Sequence, residues 1–317
     1  MLRVYLDVLP ALRYDEADSY SKTPKTIFYR RVEMKKLLPD KVAIINGGAT
    51  GMGRSTALLF AEEGCSCVIA DINEVEGKKT AAEATKKGKE CIFVHCDLTD
   101  LQQIKGCVAQ TVKKFGRVDI LVGSAGGSKV KSRDGVAGSP KKGIQYVDEE
   151  YYDSIMALNL KGHVFFCKEV APYMIKQQYG KIVLISSMGV YSPPGPSSEY
   201  HSAKAGILGL TFNLAYELAP YHITVNAIMP GPVKTPFWDP VFSMIPESER
   251  GAALDKLGQA TPLGRVGLPE DIANAVLFFS SDMSSFITGQ ALGVAGGVPL
   301  SRYVEGGFMG MRDQGGK

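Results

Sequence analysis

Val42-Ala43-Ile44-Ile45-Asn46-Gly47-Gly48-Ala49-Thr50-Gly51-Met52-Gly53 is the stretch that decides the fold of this chain. Its apolar run reads as a strand buried on both faces, and the glycines behind it read as a tight turn into a helix starting near Arg54. Gly47, Gly51 and Gly53 have no Cβ, so backbone N–H groups at the helix N-terminus, beside Met52, can close on a pyrophosphate. The spacing is G-x-x-x-G-x-G rather than G-x-G-x-x-G, and a glycine turn by itself is also what any tight turn needs. A second strand, Val68-Ile69-Ala70-Asp71, follows and ends in a carboxylate. Asp71 is placed to hold the hydroxyl pair of an adenosine ribose and to repel a 2′-phosphate, which favours NAD over NADP. The plainer alternative is a strand-end turn aspartate.

Outward from this turn, strand and helix patterns alternate. Strands are expected at Val42–Asn46, Val68–Asp71, Ile92–Cys96, Ile120–Gly123, Ile182–Ser186, Thr224–Ile228 and Ala291–Val294. Amphipathic helices are expected near Arg54–Glu63, Glu74–Lys87, Leu101–Phe115, Glu149–Gln177, Tyr200–Leu218 and Glu270–Ser280. The pattern predicts an α/β chain: a single-domain, Rossmann-like, doubly wound parallel sheet of about seven strands with helices on both faces. Ligands of such sheets bind beyond the carboxyl ends of the strands. Gly47, Asp71, Asp97, Ala125-Gly126, Ser187 and Pro230-Gly231 all follow or close a predicted strand.

Tyr200 and Lys204, in Glu199-Tyr200-His201-Ser202-Ala203-Lys204, stand four residues apart, on one face of a helix and one turn from each other. An ammonium beside a phenol favours the phenolate, bringing a group with an ordinary pKa of about 10 towards neutrality as an acid/base.

With these motifs the chain resembles the short-chain dehydrogenase/reductase family, in its compact single-domain branch, over roughly Pro39 to Val298. Ser187 of Ile185-Ser186-Ser187 stands the family's distance before Tyr200, and Asn159 of Leu158-Asn159-Leu160-Lys161-Gly162 matches its helix asparagine. Pro230-Gly231-Pro232-Val233-Lys234-Thr235 matches its nicotinamide loop, and Pro262-Leu263-Gly264-Arg265 through Ile287-Thr288-Gly289-Gln290 its C-terminal stretch. The resemblance implies reversible hydride transfer between an alcohol carbon and nicotinamide, with Tyr200 as acid/base. It implies that Lys204 lowers the Tyr200 pKa and bonds the nicotinamide ribose, that Ser187 steadies the substrate oxygen, and that Asn159 holds a water relaying protons from Lys204. Taken singly, Ser187 could be a strand-end residue and Asn159 a helix kink. For the cofactor it implies Gly47, Gly51, Met52 and Gly53 at the pyrophosphate and Asp71 at the ribose. Asp97 and Leu98 would stand at the adenine, with Asp97 alternatively an N-cap, and Ala125, Gly126, Pro230, Gly231, Val233 and Thr235 line the remainder. Three departures stand out: Asn46 for the usual threonine, Gly123-Ser124-Ala125-Gly126 for Asn-Asn-Ala-Gly, and Ala295 for an aspartate before Gly296-Gly297.

A chain of 317 residues with 45% hydrophobic residues and net charge +3 is neither a disordered protein nor a nucleic-acid binder. Its longest apolar runs are strand-length, so no membrane span is expected. Six scattered cysteines without a histidine cluster read as reduced, buried thiols, with no metal, in a cytoplasmic protein. His163, His201 and His222 read as packing or surface residues. Residues 1–38 read as an extension of unassigned role, 39–298 as the dinucleotide-binding domain with a substrate lid at about 236–258, and 299–317 as a glycine-rich tail. The basic loop Ser128–Lys142 reads as solvated. Phe237, Trp238, Phe242, Met244 and Ile245 in the lid, with Met188, Tyr191, Pro193 and Pro194, suit a medium-sized secondary alcohol or ketone, or are lid packing. The expected cofactor is NAD, with NADP less favoured, and the expected assembly is a homotetramer or homodimer by family habit. The leading expectation is an NAD-dependent alcohol dehydrogenase. The alternatives are an NADPH-dependent 3-oxoacyl-thioester reductase and a nucleotide-sensing regulator without turnover.

Overall fold

The computed structural model describes residues 35–127, 144–191, 198–239, 246–259 and 261–298. The chain divides into a short unit, Met1–Lys35, and a body, Lys36–Lys317, to which every element below belongs. Residues 1–34, the whole basic loop 128–142, Pro193, Pro194, Phe242, Met244, Ile245 and the tail 299–317 lie outside the described residues.

Seven strands, β1 (Val42–Asn46), β2 (Ser66–Asp71), β3 (Ile92–His95), β4 (Ile120–Gly123), β5 (Gly180–Ile185), β6 (Ile223–Pro230) and β7 (Ala291–Val294), form one sheet. Their order is β3-β2-β1-β4-β5-β6-β7, and every neighbouring pair is parallel. Both faces of the central strands are buried, so alternate residues serve two cores. Ile45, Ile69, Val122 and Val183 face a layer containing α1 (Gly51–Glu62), α2 (Glu74–Lys87) and α8 (Pro269–Ser280). Ile44, Val68, Leu121 and Ile182 face a layer containing α3 (Leu101–Phe115), α5 (Gly162–Gln177) and α6 (Ser198–Leu218). α4 (Glu149–Met156) packs on α6, and α7 (Glu247–Gln259) lies inside the segment expected to form the lid.

The helices start and stop where local chemistry directs. Asn73 caps α2 by accepting the Glu76 N–H, with Glu74 and Glu76 in its first turn and Lys86 and Lys87 in its last, complementing the helix dipole. Asp100 caps α3 by accepting the N–H groups of Gln102 and Gln103, and Gly116, at φ 77°, closes it. The cap is therefore Asp100 and not Asp97, whose carboxylate instead accepts the N–H and hydroxyl of Thr99 at 2.8 and 2.7 Å.

Strand ends shift by one or two residues from expectation, and the helices differ in three larger ways. α1 begins at Gly51, because the glycine turn is itself the first helical turn. The expected helix Glu149–Gln177 is interrupted by a π-helical turn, Ala157–Lys161, with Asn159 buried inside it. α7 was not foreseen. Its Glu, Ala, Lys and Leu residues favour helix, but only Gly258 among them is buried, so no apolar stripe announces it.

The strand order places β1 between β2 and β4, so successive crossovers leave β1 in opposite directions. A crevice opens there, at the carboxyl ends of β1 and β4.

Candidate active site

Gly47 leaves β1 with φ 70°, and a Cβ there would lie 2.5 Å from the Ala125 nitrogen. A Cβ on Gly53 would lie 2.1 Å from the Gly47 carbonyl oxygen, so bare glycines at both positions let α1 dock onto the turn. Thr50, at the N-cap of α1, makes no side-chain cap bond, and the first turn contains no acid. The leading N–H groups of α1 are thus left for an anion.

Gly47, Thr50 and Gly51 line one end of a cavity of about 690 Å³ that runs across the carboxyl edge of the sheet. Gly47, Gly51, Met52, Asp71, Asp97 and Leu98 lie along it, as do Ala125 and Gly126 at the end of β4. Pro230, Gly231, Val233 and Thr235 form its far wall, and Ser187, Tyr200 and Lys204 sit between them. Two expected site residues do not reach it. Gly53 lies behind the turn and Asn159 behind the β4 wall.

Asp71 is held rigidly: Oδ2 accepts the Ala49 N–H at 3.0 Å and Oδ1 accepts the Asn73 N–H at 2.9 Å. A carboxylate fixed beside a free helix N-terminus and a glycine cradle fits a dinucleotide, its ribose on Asp71 and its phosphates on the turn.

Tyr200 is buried at 8% exposure and Lys204 at 3%, both on α6. Burial pushes the Tyr200 phenol up to about 12, with a hydrogen bond from Ser187 pulling the other way. Burial pushes the Lys204 ammonium down to about 8. Lys204 Nζ donates to the Ile185 carbonyl at 2.9 Å and stands 5.8 Å from the centre of the Tyr200 ring. In the free chain burial outweighs the Ser187 bond, and the phenol is held in its protonated form. Ser187 Oγ also accepts the Gly189 N–H at 3.0 Å. Ser186 turns the other way and donates to the Lys204 carbonyl at 2.7 Å, fastening β5 to α6.

Asn159 differs from expectation in what it holds. Nδ2 donates both protons, to Gly127 O at 2.8 Å and Ile155 O at 3.0 Å, and Oδ1 accepts the Gly127 N–H at 3.0 Å. Its amide secures backbone and leaves a water only the second lone pair of Oδ1. One departure from the family pattern makes a bond of its own. Asn46 Oδ1 accepts the Ala125 N–H at 2.9 Å, tying the end of β1 to the loop after β4. Residue 231 must be glycine, since a Cβ there would lie 2.8 Å from the Ala295 Cα.

Sequence reasoning missed two residues of the wall, Asn46 and His163, although the absence of a side chain at Gly123 was a signal for both. On the substrate side, Phe237, whose ring centre is 6.2 Å from that of Tyr200, lines the cavity with Trp238, Leu257 and Met188. Trp238 is fixed by its Nε1–H donating to Val233 O at 3.0 Å. Among the described residues no group of His, Cys, Asp and Glu could hold a metal ion, and no helix is long and apolar enough to cross a membrane. The six cysteines are free and buried.

Comparison with known proteins accords with this geometry. Residues 47–299 match a family model described as enoyl-(acyl carrier protein) reductase. The 3-oxoacyl-[acyl-carrier-protein] reductase FabG of Thermotoga maritima is 40% identical over 265 residues, 83% of this chain and 99% of that protein. The (2S)-[(R)-hydroxy(phenyl)methyl]succinyl-CoA dehydrogenase subunit BbsD of Thauera aromatica is 38% identical, over 83% of this chain and 98% of that one. The crystal structure of levodione reductase superposes with a TM-score of 0.73 at 29% identity, covering 82% of this chain and 97% of that one. The chain belongs to the short-chain dehydrogenase/reductase family, oxidoreductases that act on CH–OH groups with NAD or NADP as acceptor.

Proposed function

We propose that this chain is an NAD-dependent dehydrogenase interconverting a secondary alcohol and its ketone. The observation that carries the reading is the convergence of Tyr200, Ser187 and Lys204 on the crevice that also holds the fixed carboxylate of Asp71. When bound, the nicotinamide supplies the hydride acceptor or donor. The protein's part is the proton. In ketone reduction the Tyr200 hydroxyl, kept protonated by its burial, gives its proton to the substrate oxygen as charge develops there. The Ser187 hydroxyl donates to the same oxygen, and the Lys204 ammonium offsets the phenolate that remains. In alcohol oxidation the same groups work in reverse. Gly47, Gly51 and Met52 would hold the pyrophosphate and Asp71 the ribose. A 2′-phosphate would meet the Asp71 carboxylate, which supports NAD. Phe237, Trp238, Leu257 and Met188 give the substrate end an apolar lining, suited to an uncharged alicyclic or aryl body.

A second reading, an NADPH-dependent reductase of 3-oxoacyl thioesters, draws support from the similarity to FabG and BbsD, whose names specify carrier-protein and CoA thioesters. Both readings are tested by following reduced nicotinamide with a panel of cyclic and aliphatic ketones and 3-oxoacyl thioesters, each with NADH and NADPH. Preference for NADPH and thioesters would overturn the first. Tyr200→Phe is expected to lower kcat by about 10²–10⁴ while cofactor binding persists; near-wild-type turnover would remove the mechanism. Exposed Val164, Tyr173, Phe212 and Tyr216 on α5 and α6, and fully exposed Phe286 near β7, support assembly with further copies, measurable by light scattering.

A further inference from the structure

β4 ends at Gly123, and a Cβ there would come within 2.8 Å of both His163 Nδ1 and Leu184 Cδ2. The imidazole of His163, on α5, occupies the room a side chain at 123 would take. It is 1% exposed, and its Nε2 lies 2.9 Å from the Ala125 carbonyl oxygen. A carbonyl only accepts, so Nε2 carries the proton and Nδ1 is a bare lone pair. Nδ1 is buried and has no partner among the described residues. Leucine would fill the same volume without stranding a polar atom, so what distinguishes histidine here is the bond to Ala125.

That bond belongs to a set. Asn46 holds the Ala125 N–H and Asn159 holds both polar groups of Gly127, so side chains from β1, α5 and the π turn hold the two residues that flank Gly126. Between them Gly126 packs so closely that a Cβ would lie 2.8 Å from Asn159 Oδ1 and 2.9 Å from Lys204 Nζ. The position of this backbone thus sets the space open to the Lys204 ammonium.

We propose that His163 is a positioning residue of the reaction: its Nε2–H clamps the Ala125 carbonyl and so fixes the Ala125–Gly127 wall against which Lys204 and the bound dinucleotide sit. Burial, together with the nearby Lys204 charge, pushes the imidazole down to about 3 and accords with this bonding. The kinetic part rests on the dehydrogenase reading above; the bonding part does not.

Two measurements on the full chain test it. In ¹⁵N spectra of the imidazoles, assigned through the signal lost in His163→Gln, His163 is expected as the Nε2–H tautomer, unchanged from about pH 5 to 9. A protonated ring or an Nδ1–H tautomer overturns the proposal whether or not the protein turns over. In kinetics, His163→Leu is expected to raise the cofactor KM about tenfold, the equivalent of one ordinary hydrogen bond, with substrate KM moved less than twofold. His163→Gln, whose amide nitrogen reaches the place of Nε2, is expected to return cofactor KM to within about threefold of wild type. Equal effects of Leu and Gln, or lower thermal stability in His163→Leu with unchanged kinetics, would make His163 a packing residue and overturn the proposal. If wild type shows no turnover with any panel substrate, the dehydrogenase reading fails while the spectra still decide the clamp.

Discussion

Replacing Lys204 by methionine should change how stability depends on pH, and by a calculable amount. Lys204 is buried, its one hydrogen bond among the described residues runs to the Ile185 carbonyl, and its pKa falls from 10.5 to about 8 through desolvation. At about pH 7 it is protonated in both folded and unfolded chains, so the folded state carries the full cost of burying the charge. Between about pH 8 and 10.5 the unfolded chain keeps a proton that the folded chain has released, and wild-type stability rises with pH. A shift of about 2.5 units at about 1.4 kcal/mol each gives about 3 kcal/mol over the whole window, of which about 2–3 is reached by pH 10. Lys204→Met has no such dependence. It also loses the bond to Ile185, a constant penalty of about 1–3 kcal/mol, so at pH 7 the two proteins should be of similar stability. The gap should then open by about 2–3 kcal/mol in favour of wild type by pH 10. Shared groups such as Tyr200 and His163 largely cancel in the difference. Guanidinium chloride midpoints at pH 7, 8, 9 and 10, with constant m-values, measure it. A gap that stays level within about half a kcal/mol across that range would refute the reasoning, because Lys204 would then be solvated or paired with an anion in the folded chain.

The remaining predictions concern the turn, the cofactor, the wall and the pocket. Gly53→Ala places a Cβ against the Gly47 carbonyl, where no rotamer relieves it; a loss of about 1–3 kcal/mol in chemical denaturation and weaker NAD binding by fluorescence titration are expected. Asp71→Ser removes the fixed carboxylate and should raise the NADP(H)-to-NAD(H) ratio of kcat/KM at least about tenfold, read from paired steady-state assays. His163 is neutral when folded but takes a proton below about pH 6.5 when unfolded, so its contribution is present above that pH and is lost as pH falls towards 3; acid titration of His163→Gln should give a flatter stability curve than wild type. Phe237→Ala should lower kcat/KM about 5- to 30-fold for bulky ketones and under twofold for the smallest, the effect of about 1–2 kcal/mol of lost apolar contact.

How legible each feature was depends on how far apart its parts lie along the chain. The seven strands and their parallel winding were readable because a strand buried on both faces makes a continuous apolar run, as in Val42–Asn46, and the run needs no distant partner to be recognised. The placement of Tyr200 and Lys204 on one face follows from helical periodicity alone, and both line the crevice. Their ionisation did not follow, because it depends on how much of each is buried, and burial comes from elements such as β5 and the lid that are remote in sequence. Asn159 could be matched to a position but not to a bond, since its partners, Gly127 and Ile155, meet it only once the helix takes its π turn. Gly123 is the sharpest case. Read locally, it is a missing asparagine and a source of doubt about the strand end. In three dimensions it is one half of an exchange, in which residue 163 supplies from a helix the volume and the donor that residue 123 does not supply from the strand, while Asn46 supplies the acceptor. A hydrogen-bonded wall can therefore be rebuilt with different residues from different elements, and the substitution that looks like a loss in one motif marks where to search for its replacement in another.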